Sequence, residues 1–563
     1  MIAVFRRINT AIIDLWNSYF YGESSTITAG AFVLGVMSLV SRVIGLFRDR
    51  FLAARFGAGE ELDIYYTAFR IPDFFYTILL LGVAVVAFVP TFVGYWEKDP
   101  EEAKKFFNTL FTLLVVSSVV LASILFILSP WIIPLIAPGF NLEAQQKSVA
   151  LSRIMFLSAI FLGVSSLFSG ITQVFKRFFA FSLAPVLYNV GIIIGVSFFE
   201  PHMGLSGLAW GVVLGALMHT AIQLPVVSSL GFSPGISFDW YHEGVKKVLK
   251  HSLPRTLSIG FSQLTIIVLT ALASYLAAGS ISIFQFSNNL AFLPVGMIGL
   301  SYGIAAFPSF TRSRQDTDRL VEIFRKVVKE TLFLVVPLSV LFIVLRAQIV
   351  RVVLGAGQFD WTDTRLTAAS IAILAVGIFA QSLLPVVIRA FYALGDTKTP
   401  LWVSIFGFLG TVGLGYFLGD WLHNYSSGYR FLRLLRVSDL GAGPLLGLVS
   451  AFSFMNIVTF TLLYSLLRKK LQGYEYGWLR WSLAQIVMYS VLAGSASWIA
   501  LRVGERIFYL ETFTGILMQG ILAGLVGLGV YALLAVLARQ QELIDFKSLF
   551  RLKNNQSSEN RHE

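Results

Sequence analysis

The chain has 563 residues, 56% of them hydrophobic and only 13% charged, with a net charge of +12 and no cysteine. Soluble proteins carry about a quarter charged residues, so this composition excludes a string of soluble domains and describes a chain that lives in a bilayer. Without cysteine there is no thiol catalysis, Cys-ligated zinc, iron–sulfur cluster or disulfide; six scattered histidines offer no metal centre, and no cofactor is expected.

Residues 1–27 hold a short apolar stretch after Arg6 and Arg7, interrupted by Asp14 and Asn17, with no small-residue cleavage site. The pattern predicts an amphipathic helix on the membrane surface rather than a signal peptide. Apolar runs long enough to span then follow near 28–56, 64–95, 106–136, 148–174, 179–199, 204–229, 246–277, 281–310, 328–354, 364–393, 399–422, 441–467, 480–501 and 514–538. An all-α polytopic protein of about fourteen transmembrane helices is expected, and strand-type alternation in ten-residue blocks is missing. The polar end, 541–563, reads as a disordered cytoplasmic tail.

An even number of crossings puts both termini on one side. The loops on that side carry Lys104, Lys105, Lys176, Arg177, Lys246, Lys247, Lys250, the cluster Arg312 to Lys329, and Arg468 to Lys470. They hold roughly 26 Lys and Arg against roughly 6 on the other side, which predicts cytoplasmic termini and accounts for the basic balance without a nucleic-acid partner. The loop with Arg430, Arg433 and Arg436 falls outside and breaks the pattern.

Landmarks recur along the chain. FGAGEELDIYYTAFRIPDF (56–74) is echoed at 276–294, AFVPTF (87–92) at 305–310, APGF (137–140) at 355–359 and VFKRFFAFSLAP (174–185) at 390–400. These ordered matches, about 215 to 222 residues apart, predict a repeat. Six spans separate the copies, so equivalent helices point the same way, as in transporters built from parallel repeats with the binding site between them. The expected lobes are 28–230 (spans 1–6) and 231–440 (spans 7–11), with 441–470 (span 12) completing the second; the last two spans, 471–540, stand outside the repeat.

Ionisable groups inside spans carry the functional signal, because each costs at least about 2.5 kcal/mol unless it faces a cavity or a partner. Arg42 lies near the middle of span 1, roughly 20 Å from either end at 1.5 Å per residue. Helical spacing puts Arg42, Gly45 and Asp49 on one stripe, with Arg48 and Arg50 flanking Asp49. Span 2 adds Arg70 and Asp73 around Pro72, and span 7 opens with Pro254 and Arg255. Arg50 and Arg55 are expected to snorkel to the outer interface, Arg153 and Arg389 to serve the inner one or to pair structurally, and Asp63 to sit in a loop. The net positive set Arg42, Arg48, Arg70 and Arg255 against Asp49 and Asp73 suits a phosphate or pyrophosphate, which the guanidinium fork matches. The second copy of span 2 carries Gln285, Asn288 and Asn289 instead. The ladder Gly207, Gly211, Gly215 reads as close helix packing.

The stretch SRVIGLFRDRFLAARFGAGEELDIYYTAFRIPDF (41–74) resembles the entry signature of the MurJ/MviN family, the lipid II flippases of the multidrug/oligosaccharidyl-lipid/polysaccharide exporter superfamily. The likeness continues through AFVPTF, APGF, 262–280, AAFPSF (305–310) and FYALGDTKTP (391–400). The resemblance implies two six-helix lobes around a cavity and a final helix pair forming a groove for a polyprenyl tail. It also implies movement of undecaprenyl-pyrophosphate-linked peptidoglycan precursor from the inner to the outer leaflet of the bacterial cytoplasmic membrane. The partners implied are that glycolipid, membrane lipids and the cell-wall synthesis machinery, with the protein a monomer. Arg42, Arg48 and Asp49 match family positions for substrate handling and Asp63 matches a recurrent acid. Tyr76, Leu81 and Asn289 depart from the family, Asn289 standing at a span-8 arginine position.

Three rivals remain open at this point: a flippase for another polyprenyl-linked glycan, a drug exporter, which would want net acid in its cavity, and an intramembrane polyprenyl-phosphate enzyme. The enzyme would need paired acids or a His-rich cluster, and Glu60, Glu61, Asp63, Asp360 and Asp363 form no such constellation. No Walker-type loop is present.

Overall fold

The computed structural model describes residues 27–77, 85–239, 241–471 and 477–540, with a few side chains left out within helices, that of Arg255 among them. The expected surface helix before residue 27, Leu81 and the tail 541–563 lie outside the described residues. Within them no strand occurs. In a bilayer core with no water to satisfy N–H and C=O groups, an apolar segment pairs them internally, and the α-helix does so within a single run.

In chain order the helices are α1 (Ile27–Phe56), α2 (Glu60–Tyr76), α3 (Val85–Trp96), α4 (Pro100–Ile136), α5 (Leu142–Val174) and α6 (Phe178–Ile194). A π turn (Gly195–Phe199) and one helical turn (Glu200–Met203) extend α6. Next come α7 (Leu205–Ala221), α8 (Leu224–Ser229), α9 (Glu243–Ala273) and α10 (Ser280–Pro294), the last followed by a π turn (Val295–Gly299). The remainder are α11 (Leu300–Arg312), α12 (Thr317–Val344), α13 (Arg346–Val353), α14 (Trp361–Ala393), α15 (Lys398–Asn424), α16 (Ser426–Leu434), α17 (Gly443–Lys470), α18 (Gly477–Ile507) and α19 (Phe513–Leu537). Eleven described segments are long and apolar enough to cross a membrane. The other three expected spans fall on α1, on α2 with α3, and on α9.

Helix starts follow polar caps. Asp99 accepts from Glu101 N with Pro100 at the first helical position, Asn141 from Ala144 N, Asp316 from Arg319 N, and Asp360 with Asp363 forms a capping box. Each cap satisfies N–H groups that a helix start leaves unpaired.

The chain divides into two compact units, one of residues 1–282 with 356–359, the other of 283–355 with 360–563. The first is centred on an aromatic cluster that includes Phe88, Phe92, Phe106, Phe107, Phe168 and Phe232. In it α6 and α7 touch through glycines: a Cβ on Gly211 would come 2.5 Å from Gly195 Cα, and one on Gly191 2.3 Å from Gly215 Cα. The ladder read from the sequence is thus a helix-packing surface. In the second unit one core joins α11, α12, α14, α15, α17, α18 and α19, with Phe310, Phe324, Leu383, Val403, Tyr464, Ile486 and Tyr531 among its members. Tyr531 Oη donates to Phe333 O at 2.8 Å, so the final helix pair is packed onto α12.

Compactness and repeat partition the chain differently, because the first unit takes in α9 and the turn 356–359. Two exchanged turns explain it. Gln358 N donates to Ala54 O at 2.9 Å, at the end of α1. Gly357 lies so close there, with φ +56°, that a Cβ would sit 2.1 Å from Ala54 O. The corresponding turn of the first copy reaches the end of α9, where Gly139 N donates to Ser274 Oγ at 3.0 Å. The turn after the third span therefore closes the seventh, and the turn after the ninth closes the first. The repeated spans share a further feature: α2 ends in π geometry at Thr77, and α10 ends in the π turn starting at Val295, at the repeat's spacing.

Candidate substrate-binding site

Arg42, Arg48 and Asp49 all lie on α1. Neighbours one apart on a helix do not ordinarily face each other, yet the long Arg48 arm folds back so that Nε and Nη2 donate to Asp49 Oδ1 at 2.9 and 2.7 Å. Its Nη1 donates to Asn189 Oδ1, on α6, at 3.0 Å. Asn189 Nδ2 in turn donates to Pro185 O at 3.1 Å and Ser41 O at 3.4 Å. The Asp49 side chain is only 5% exposed and that of Arg48 23%. This is a compensated, anchored pair, and the carboxylate neutralises much of the Arg48 charge.

Arg42 differs. It is half-buried, its Nε is sealed from solvent, and among the described residues that nitrogen meets no hydrogen-bond acceptor and the side chain no carboxylate. A guanidinium is a donor in every direction and stays charged, so Arg42 is a mid-span cation whose Nε has no acceptor among the described residues.

Arg70 and Asp73 both turn toward α9. Arg70 Nε donates to Thr270 Oγ1 at 2.9 Å. Gln263 Nε2 donates to Asp73 Oδ2 at 3.3 Å and to Thr77 Oγ1 at 3.0 Å. The α2 charges therefore fasten α2 to α9. Arg255 is on α9 with its side chain outside the described ones. Asn289 sits on α10 in the second unit and accepts from Gln285 Nε2 at 2.8 Å.

Asp63 is not in a loop: it lies in the first turn of α2 and is 3% exposed. Its Oδ2 accepts from Gly279 N at 2.7 Å, and its Oδ1 from Ser282 N at 2.7 Å and Ser282 Oγ at 2.6 Å. A carboxylate here satisfies the unpaired N–H groups at the start of α10 and meets the positive end of its dipole. Gly279, with φ +88°, belongs to the same junction, where a Cβ would fall 1.8 Å from Ala58 O. Arg55 does not simply snorkel; it forms a two-pronged pair with the buried Glu200, Nε to Oε2 at 2.7 Å and Nη2 to Oε1 at 3.2 Å. Arg153 pairs structurally, donating to Phe126 O and Ser129 Oγ, both at 3.2 Å, with its guanidinium carbon 4.5 Å from the Phe126 ring centre.

Asn189, Glu200 and Thr270 do not stand out in the sequence as partners of these charges. Asn189 is a polar side chain in the apolar run FFAFSLAPVLYNVGIII, and that was the signal available. Among the described residues no group of three or more His, Asp or Glu could hold a metal ion.

A chain of helices, eleven of them long and apolar enough to cross a membrane among the described residues, defines an all-helical polytopic membrane protein. The solved structures agree on the fold. The chain is similar to "Lipid II flippase MurJ, inward closed conformation" at TM-score 0.70 and 22% identity, covering 91% of this chain and 99% of that one. It is also similar to an outward-facing multidrug-resistance MATE family transporter of the MOP superfamily, at TM-score 0.55 and 16% identity, covering 81% and 98%. Residues 52–518 match the family described as "Lipid II flippase MurJ". The chain belongs to that family.

Among curated relatives, the Lipid II flippase MurJ of Burkholderia cenocepacia is 27% identical over 476 residues, 82% of this chain and 88% of that protein. The probable lipid II flippase of Buchnera aphidicola subsp. Schizaphis graminum is 30% identical over 381 residues, 66% and 74%. That of Vibrio cholerae is 26% identical over 536 residues, 91% and 96%.

Proposed function

We propose that this chain carries lipid II, the undecaprenyl-pyrophosphate-linked peptidoglycan precursor, from the inner to the outer leaflet of the bacterial cytoplasmic membrane, with both termini cytoplasmic. The observation that carries the reading is Arg42, a mid-span cation with no carboxylate partner among the described residues beside an Arg48 held in place by Asp49 and Asn189. Arg42 takes the pyrophosphate. Arg48, with part of its charge already balanced, orients it, and Arg255 adds charge from α9. The family supports the substrate class, and the positive sign of the site separates it from an exporter of cationic drugs.

Access is gated where Asp63 meets the turn 279–282 within the first unit. With Asp63 on Gly279 and Ser282 the outer side is latched; releasing those bonds is the opening step. A negative cell interior favours expelling an anion by about 2.3 kcal/mol per charge per 100 mV, so no nucleotide motor is required. The site's residues bind and position, and none is arranged to break a bond.

The test is expression in a bacterium depleted of its own lipid II flippase, with lipid II in the outer leaflet measured directly. Growth and outer-leaflet lipid II both return if the reading is right. Growth of a strain lacking an O-antigen flippase, without rescue of the first, would move the assignment to another polyprenyl-linked glycan.

A further inference from the structure

The arginines that break the charge asymmetry have a structural counterpart. In the second unit a cavity of about 330 Å³ opens where the end of α12, α13, the start of α14, residues 435–436 and the end of α18 meet. Its walls include Arg346, Arg365, Arg436 and Arg502 together with Trp361 and Trp498. It lies at the end of α12 opposite the basic cluster of 312–329, the outer end in the proposed orientation.

The charges on this wall are unequally paired. Arg365 is fully engaged: Nη1 donates to Asp439 Oδ2 at 2.8 Å, Nη2 to Asp439 Oδ1 at 2.5 Å and Nε to Arg436 O at 3.0 Å. Arg502 reaches Glu505, the one acid on the wall, at 3.3 Å. Arg346 donates to a backbone carbonyl, Ile343 O, at 2.9 Å, and among the described residues neither Arg346 nor Arg436 meets a carboxylate. The two are close enough for the Arg436 charge to bear on Arg346. Arg436 also occupies the left-handed backbone region, φ +63°, at the end of α16, where Arg436 N donates to Arg433 O and Val437 N to Leu432 O, both at 3.0 Å. Glycine is the usual residue at such a helix stop. Here an arginine stands in its place, with its carbonyl clamped by Arg365.

Like charges brought together without an acid repel, and an anion between them removes the repulsion. Trp361 and Trp498, 60% and 53% exposed, have the character of a membrane-interface belt. Beside the cavity α18 presents exposed Ile499, Val503 and Ile507. We propose that this cavity binds a phosphate-bearing anion, the head group of an anionic lipid in the outer leaflet, with the acyl chains lying along α18. The site is separate from the Arg42 site and does not depend on what that site carries.

Native mass spectrometry of the full-length protein in neutral detergent, with phosphatidylglycerol or phosphatidylcholine, tests the proposal; inorganic pyrophosphate in a thermal-shift arm separates a lipid from a soluble anion. Phosphatidylglycerol occupancy is expected to fall about fivefold or more in Arg346→Gln/Arg436→Gln, with phosphatidylcholine unchanged. In Glu505→Gln it should rise about twofold, because a competing acid is removed, and this arm stands even if the double variant does not fold. Stabilisation by pyrophosphate that the double variant loses, without preference for the anionic lipid, keeps the anion site and overturns the lipid occupant. Equal phosphatidylglycerol binding by wild type and double variant, or no gain in Glu505→Gln, overturns the proposal.

Discussion

The second span of the first repeat and its counterpart in the second share a backbone plan and differ in chemistry. Both end in π geometry at equivalent places, Thr77 and Val295, but α2 carries Arg70, Asp73 and Asp63 where α10 carries Gln285, Asn288 and Asn289. The frame is duplicated and the charge is not. Charges removed from water demand partners, so the three charged residues of α2 that are not exposed each come with a fixing group: Thr270 for Arg70, Gln263 for Asp73, and the turn 279–282 for Asp63. The uncharged copy settles for the short-range Gln285–Asn289 bond. A repeat can thus keep its backbone plan while a single copy carries the charge.

If compensation is what allows the first copy its charges, removing one partner should hurt more than removing a hydrogen bond. Asp49→Asn leaves Arg48 without its counter-charge, and the expected loss is about 3–5 kcal/mol of stability, read as a lowered unfolding midpoint in detergent. Asn189→Leu removes a neutral partner and should cost about 1–3 kcal/mol in the same assay. An equal effect of the two would break the comparison.

The junction at Asp63 sharpens it further. Asp63→Asn replaces a carboxylate that accepts three hydrogen bonds, weakening the latch by about 2 kcal/mol. The chain has no cysteine, so one introduced at Ser280, which is 4% exposed in the latched junction, reports opening cleanly. Its labelling by a membrane-impermeant thiol reagent should speed up about thirtyfold in Asp63→Asn.

The smallest effect belongs to an ion pair outside the spans. Burial alone would raise the Asp396 carboxyl, but hydrogen bonds from Lys470 and Thr399 outweigh it and hold the group at about 2, against 3.8 ordinarily. A depressed carboxylate stabilises the fold above its unfolded value and loses that contribution as pH falls through the folded one. The Asp396 contribution should therefore be constant from pH 7 to about 4 and fade below it, and with its partner Lys470 42% exposed it should amount to under about 1 kcal/mol. Comparing thermal unfolding of wild type and Asp396→Asn across that range checks it.

Much of this was legible in the sequence for a simple reason: charge inside an apolar run is expensive, so Arg42, Arg48 and Asp49 stood out before any contact was known. Their partners did not. Asn189 and Glu200 lie about 140 residues further on, and only packing of α6 and its extension on α1 selects them. The apolar run begins only after Asp63, so hydropathy alone puts that residue in a loop. Glu60, Glu61 and Asp63 crowd the first turn, where the helix dipole favours acids, so α2 starts earlier than hydropathy suggests. The exchanged turns at Gly139 and Gly357 were visible as a repeated motif, but the helix that each one closes is a matter of tertiary structure.

Everything functional rests on Arg42 being a cation held for a ligand. The direct measurement is rescue of flippase-depleted cells by Arg42→Ala, produced in the membrane at the wild-type level and with the wild-type unfolding midpoint. Losing a buried charge-to-charge contact costs about 2–5 kcal/mol, so rescue should fall by about thirtyfold or more. Growth equal to that given by the unaltered chain would contradict the account.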